Sequence, residues 1–416
     1  MKTITIIFIL FISLIHPQKI LIPMDQTQND HLKAYGIAYY VLKRNINVEW
    51  LLNFQGGSFL IDNHPFIQAE CKIRGVSFLE LGDQLLDIYS TIEENNMDIV
   101  LLEKAPNIAI YSPPNKQPWD DAVTLALTYA EVDYKTLWDE EVINNTLDKY
   151  DWLHLHHEDF TGQYGKFYRN YHNAPWYIEQ KTRFENLAKK FGMKSVHEEK
   201  KAISRIIKNY ISNGGFLFAM CSATDSYDIA LSLENIDGVH SVFDGTPIDK
   251  DIVDKIDFSK SLAFTNYKIY TDPMIYEFSD IDYPPSHNPI TRGAEADYFS
   301  LFEFSAKYDP VPTMLTQNHV PIVKGFMGQT TGFNKNMIKN HVVIMGEDPA
   351  SDQVKYLHGN FGKGTYTFYG GHDPEDYQHF VGDPPTDLSL HRNSPGYRLI
   401  LNNILFPAAR KKEKKT

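Results

Sequence analysis

Between residues 19 and 235, short and almost wholly apolar runs alternate with amphipathic runs of helical period. No other feature restricts the fold as strongly. The apolar runs are "KILIPM" (19–24), "VEWLLNF" (48–54), "DIVLLE" (98–103), "IAIYS" (108–112), the start of "DWLHLHHEDF" (151–160) and "FLFAM" (216–220). Helical runs lie at 29–44, 81–95, 118–132 and 197–215. The last sets Ile203, Ile206, Ile207, Tyr210 and Ile211 on one face and stops at Gly214. Strands apolar on both faces need cover on both faces. The pattern therefore predicts an α/β, doubly wound, mostly parallel sheet of flavodoxin-like type. In such sheets ligands sit beyond the carboxyl ends of the strands. Asp25, the loop His156, His157, Glu158 and Asp159, and Cys221 all fall at such ends, so they are expected to share one edge.

The alternation breaks at 236–335, where "DYPPSHNP" and "YDPVPT" are turn-rich. This stretch reads as an irregular insertion. Sheet character returns in "HVVIMGE" (341–347) and "GKGTYTFYGGHDPEDY" (362–377), and a helix opening near Ser394 closes the chain. Residues 19–235 and 336–409 are thus expected to build one core, with a basic tail at 410–416. At the N-terminus, Lys2 precedes an apolar stretch at 3–15, the form of a signal peptide. Residues 1–18 are expected to be removed from an exported protein, periplasmic or extracellular, that begins near Lys19. No later run is apolar enough to span a bilayer. Asp plus Glu outnumber Lys plus Arg by 53 to 40, giving a formal charge of −13. Such a chain repels phosphate backbones, which argues against a nucleic-acid partner. The two cysteines, Cys71 and Cys221, make no disulfide framework.

Chemistry concentrates at "NGGFLFAMCSA" (213–223). A strand ending in a tight turn that feeds a helix exposes the turn side chain, and the first helical N–H groups point back at it. These donors lower a thiol pKa and hold an oxyanion. Cys221 is therefore the candidate nucleophile, with the backbone of Ser222 as oxyanion donor. "FYGGHDPEDY" (368–377) offers His372 as base, with Glu375 to orient it and Asp373 as a competing orienter.

"NGGFLFAMCSA" followed far downstream by "GGHDPE" resembles the class I glutamine amidotransferase-like family. The resemblance implies a doubly wound sheet and a catalytic set of Cys221, His372 and Glu375. This chain has Ala and Ser where the family flanks its cysteine with glycine, and H-D-P-E where the family has H-P-E. "KILIPMDQTQNDHLKAYGIAYYVL" and "SPGYRLILNNILFPA" also resemble an exported bacterial group often labelled asparagine synthetase B. The pyrophosphate loop of a synthetase, "SGGxDS", does not occur here.

Three functions follow as expectations. The leading one is a thiol hydrolase or amidase acting on a carboxamide or small peptide, with Asp25, His156, His157, Glu158, Asp159, Ser222 and Asp373 as substrate contacts. The second is a non-catalytic module binding glycan or peptide, favoured by Trp119, Trp138, Trp152 and Trp176 in or beside loops. The third is a metal-dependent hydrolase using the cluster His154–Asp159, centred on His156, His157 and Asp159. Against the third, His172, His287, His379 and His391 are scattered, with no second group at metal-like spacing. "NFQGGSF" (53–59) and "GFMGQTTGF" (325–333) lack phosphate-loop spacing. They read as turns, with Gln55, Gln329 and Thr330 as polar contacts, and no cofactor is expected.

Overall fold

The computed structural model describes residues 19–114, 121–282, 297–303, 305–309, 313–325, 328–377 and 383–410. The expected signal peptide, Pro118, Trp119, His287, His379 and nearly all of the basic tail lie outside these residues. The strands are β1 (Lys19–Ile22), β2 (Val48–Leu52), β3 (Ser58–Asp62), β4 (Leu79–Leu81), β5 (Asp98–Leu102), β6 (Ile108–Tyr111), β7 (Lys135–Leu137), β8 (Trp152–Leu155), β9 (Phe216–Met220), β10 (Tyr298–Leu301), β11 (Ile322–Lys324), β12 (Phe333–Asn334), β13 (Val343–Glu347), β14 (Gln353–Phe361) and β15 (Gly364–Tyr369).

They form two sheets rather than one. A five-stranded sheet runs β4-β1-β3-β2-β5, and every pairing in it is antiparallel. A ten-stranded mixed sheet runs β11-β10-β13-β14-β15-β9-β8-β6-β7, with β12 paired to β14. From β15 to β7 its strands are parallel, and from β15 to β11 they are antiparallel. The expected doubly wound, mostly parallel, flavodoxin-like sheet is therefore corrected. Two turns carry the difference. Residues 53–57 reverse the chain within a few residues, with Asn53, Gln55, Gly56 and Gly57 all at positive φ. This makes β2 and β3 a hairpin, and β1 pairs with β3 instead of entering the larger sheet. A second tight turn at Gly362, with φ 60°, folds β15 antiparallel onto β14. Apolar runs report burial but not the direction of pairing.

Alternate residues of the parallel strands enter different cores, which explains their unbroken apolar character. Ile108, Ile110, Trp152, Phe216 and Phe218 face the helices His31–Leu42, Ala122–Ala130 and Pro395–Leu405, which also pack on Ile20, Ile22 and Trp50 of the smaller sheet. Ala109, Tyr111, Leu153, Leu155, Leu217 and Ala219 face the opposite way, toward helices Val196–Ser212 and Ser222–Ser232. The region at 161–195, irregular by sequence, contains the helix Pro175–Lys190 on that same side. The insertion at 236–335 extends the larger sheet through β10, β11 and β12.

Arg398, fully buried, ties the last helix to the smaller sheet. Its guanidinium donates to Met24 O at 2.6 Å, to Tyr35 Oη at 3.1 Å and to Gly56 O, and lies 3.3 Å from His319 Nδ1. A buried cation held by oxygens without a carboxylate depends on all of them together. Arg398→Met is expected to lower stability by about 3 kcal/mol, read as a fall in the urea midpoint. An unchanged midpoint would contradict this role.

Candidate active site

Four parallel strands bring their carboxyl ends together. β6 leads to Asp121, which caps the helix Ala122–Ala130 and accepts from Val123 N at 2.7 Å and Thr124 N at 3.2 Å. β8 leads to His156, His157, Glu158 and Asp159. β9 leads to Cys221, and β15 leads through Gly370 and Gly371 to His372.

The imidazoles of His156, His157 and His372 meet here. The ring centroids of His156 and His372 are 4.2 Å apart, those of His156 and His157 4.8 Å, and His157 stacks on His372 at 5.7 Å. One candidate ligand atom from each lies within 4.8 Å of the other two. Asp121 supports this group from behind. Its Oδ1 is 2.9 Å from His156 Nδ1 and 3.3 Å from His154 Nε2. His154 Nδ1 faces Phe218 O at 3.1 Å, so both nitrogens of that ring are committed to oxygens. Burial pushes the Asp121 carboxyl up, but the imidazoles of His154 and His156 outweigh it and hold the group well below the usual carboxylate range. Burial lowers the His156 pKa against the pull of Asp121. The pair is thus an ionised carboxylate and a neutral imidazole. Asp121 accepts a hydrogen bond from Nδ1–H of His156, and the lone pair falls on Nε2. That atom is fully buried and has no hydrogen-bond partner among the described residues.

Cys221 stands at the expected elbow. Its backbone has φ 50° and ψ −138°, a conformation costly for a non-glycine residue, and the helix Ser222–Ser232 starts directly after it. The thiol itself is shut in. It is 2% exposed, and Gln329 N donates to Sγ at 3.3 Å. Burial pushes its pKa up to about 11, although backbone N–H groups of Thr330, Gln329 and Ser222 act in the opposite direction. Of the helix's first donors, Ala223 N is taken by His156 O at 3.2 Å.

The remaining predicted site residues serve mainly as structure. Glu375 pairs with His391 Nδ1 at 3.1 Å instead of orienting His372. Asp373 caps its own turn through Glu375 N at 2.8 Å and holds Thr386 Oγ1 at 2.7 Å. Asp159 organises the loop that follows it, accepting from Thr161 N and Gln163 N at 2.6 Å and from Gly165 N at 3.0 Å. Glu158 accepts from His156 N at 3.0 Å, and burial, then the charge of Asp121, pushes it up to about 8. Ser222 Oγ donates to His157 O at 3.0 Å. Asp25 is set apart on the smaller sheet, where it accepts from Thr27 N at 2.9 Å. Trp138 and Trp152 are core residues, and Trp176 packs on Phe167 and Tyr171.

No family model matches the chain, and no curated protein matches it in sequence. Two solved structures of Salmonella typhimurium proteins described as cytoplasmic align with it. One shows 12% identity over 74% of this chain and 100% of its own, with a TM-score of 0.35. The other shows 10% identity over 73% and 100%, with a TM-score of 0.34. A β-galactosidase of Bacillus circulans sp. alkalophilus aligns at 8% identity over 71% of this chain and 32% of its own, with a TM-score of 0.25. Likenesses this weak carry no functional argument, so the site must be judged on its own chemistry.

Sequence reasoning missed Asp121, and its signal was only that of a helix cap. It also missed the approach of His372 to the β8 loop, which requires β8, β9 and β15 to be consecutive neighbours. A narrow slot lined by Trp138, Glu158, Tyr164 and Phe184 reaches His157 from one side. A much wider cleft, of about 720 Å³, opens at the opposite ends of β9 and β15 between Lys104, Phe216, Lys363 and Phe406, away from this chemistry.

Among the acids behind the thiol, burial pushes Asp225 up to about 7 from 3.8. The folded state therefore holds a proton that the unfolded state releases above pH 4. This contribution is present at low pH and is lost as pH rises through 7. Between pH 5 and 8 the stability of the wild type relative to Asp225→Asn is expected to fall by about 2–3 kcal/mol. Urea titrations of both proteins at the two pH values check this, and a constant difference would contradict it.

Proposed function

We propose that the chain is a metal-dependent hydrolase whose ion is held by His156, His157 and His372. The observation that carries this reading is the buried, unpartnered Nε2 of His156, with its ring fixed by Asp121. An unsatisfied buried nitrogen costs about 1–3 kcal/mol, and an ion at that point would remove the cost. Three imidazoles leaving one position open are the ligand type of catalytic zinc, and a carboxylate on the distal nitrogen is the usual means of orienting such a ligand. Zinc–nitrogen bonds of about 2.0–2.1 Å would draw the rings closer than they stand here. Bound ion would lower the pKa of a water in the open position and polarise the substrate carbonyl. The expected substrate is a carboxamide or small peptide.

The thiol reading is retained as the second, because the strained elbow at Cys221 favours it. In that reading Cys221 attacks the carbonyl, Ser222 N holds the oxyanion and His372 carries the proton. Among the described residues no helix is long and apolar enough to cross a membrane. We take the protein to be exported, on the strength of Lys2 and the apolar residues 3–15.

Elemental analysis of the protein, purified without chelator and dialysed against zinc, tests the leading reading. About one equivalent is expected, lost in His156→Ala and His372→Ala and retained in Cys221→Ser. Asp121→Asn is expected to weaken binding by about 10–100-fold. Circular dichroism establishes that each variant is folded. Wild-type protein without metal would overturn the proposal. Intact-mass measurement of the secreted product tests export, with a chain starting near Lys19 expected and full-length product contradicting it.

A further inference from the structure

The fold brings the glycine-rich stretch read as a turn at 325–333 against the double glycine that follows β15. The backbone at 328–332 passes between Cys221 and the turn after β15. A Cβ at Gly328 would stand 3.0 Å from Cys221 Sγ and 3.1 Å from Gly371, and one at Gly370 would stand 2.6 Å from Thr331 O. Gly370 is required by this close passage rather than by a turn of its own, and a side chain at 328 would have to push its neighbours aside. Gly371 N donates to Thr330 O at 2.8 Å, which fastens the passing segment to the end of β15.

The segment is held from every other side. Thr330 Oγ1 donates to Asp225 Oδ1 at 2.9 Å, on the helix that Cys221 opens. Thr331 N donates to Asp282 Oδ1 at 2.9 Å, and Lys355 Nζ donates to Thr331 O at 3.0 Å. Gln329 spans the chamber, with its amide donating to Gly165 O at 2.8 Å and Tyr276 O at 3.0 Å while its backbone N meets the thiol. Of the two residues it grips, Gly165 belongs to a strained run, with Tyr164, Gly165 and Lys166 all at positive φ.

We infer that residues 328–332 form an inhibitory strap that closes the thiol site, latched by Thr330 on Asp225 and by Gln329 on Gly165 and Tyr276. The inference rests on the thiol reading and supplies its regulation. The strap presents Sγ with an amide N–H, a hydrogen-bond donor, rather than with a carbonyl carbon, so it blocks the nucleophile without being attacked by it. A carboxamide or peptide would reach Cys221 only by displacing the strap, and its carbonyl would then lie against Ser222 N. Cys71, buried on the helix Pro65–Arg74, provides an internal control.

The test is the alkylation rate of Cys221 by iodoacetamide, read by peptide mass spectrometry beside that of Cys71. Thr330→Val removes a latch with little change of shape, and Gly328→Ala forces the strap off the sulfur. In the wild type Cys221 is expected to react far more slowly than a free thiol. Each variant is expected to raise its rate about tenfold, the equivalent of one hydrogen bond to a buried carboxylate, with Cys71 unchanged. A wild-type rate equal to that of free cysteine would overturn the strap. So would variants that leave Cys221 unchanged, or that raise both cysteines together, which would mean global opening. Amide hydrolysis by wild type and Cys221→Ser is measured separately. A strap that opens over a thiol with no hydrolytic activity would retire the thiol reading and leave the strap standing.

Discussion

One carboxylate oxygen fixes the chemistry of this edge. Asp121 Oδ1 reaches both His154 and His156, whose rings lie on the same side of β8 and just beyond it. A single aspartate at a helix start thus sets the tautomer of His156 and the direction of its remaining lone pair. Removing that charge would leave His156 Nδ1 without its acceptor and His154 held by Phe218 O alone. His157 and His372 are brought here by their strands, one following β8 and the other β15, two strands away. The histidine group is therefore a product of strand order. The capping aspartate then turns three nearby rings into a site of defined chemistry.

The sheet that supplies these ends is parallel over only half its width. The antiparallel half, from β14 to β11, places β12 and the strap on the same edge. Crowding there is severe enough to demand glycine at 370 and leaves a side chain at 328 little room. The same crowding buries Cys221 and drives its pKa upward, even though the elbow and helix start are arranged to favour a thiolate. Histidine chemistry and thiol chemistry thus lie side by side in opposite states. His156 has an open lone pair, whereas the thiol is closed.

The sequence made some of this legible for clear physical reasons. Burial on both faces wrote itself into "IAIY", "WLHL" and "FLFAM", so these parallel strands and the placing of His156, His157 and Cys221 at their carboxyl ends could be read from pattern and order. Period and a stop signal marked Val196–Ser212 as a helix. Pairing direction left no such trace. The small antiparallel sheet went unseen because hairpin strands and crossover strands can be equally apolar, and Asp25 was assigned to the wrong sheet edge as a result. Glu375 was misplaced because a spacing of three residues does not say which histidine lies nearby, and His391 lies closer. Asp159 looked like a ligand but spends its oxygens on four donors of its own loop. In each case the missing information was a contact between residues far apart in the chain.

The central claim is that His156, His157 and His372 form one ion site of defined geometry. Titration of metal-free protein with cobalt(II), followed by visible absorption, tests it most directly. The account predicts intense bands of a tetrahedral ion that saturate at one equivalent and disappear on adding zinc. A spectrum that stays that of the hydrated octahedral ion would show that the three rings only stack, and would contradict the account.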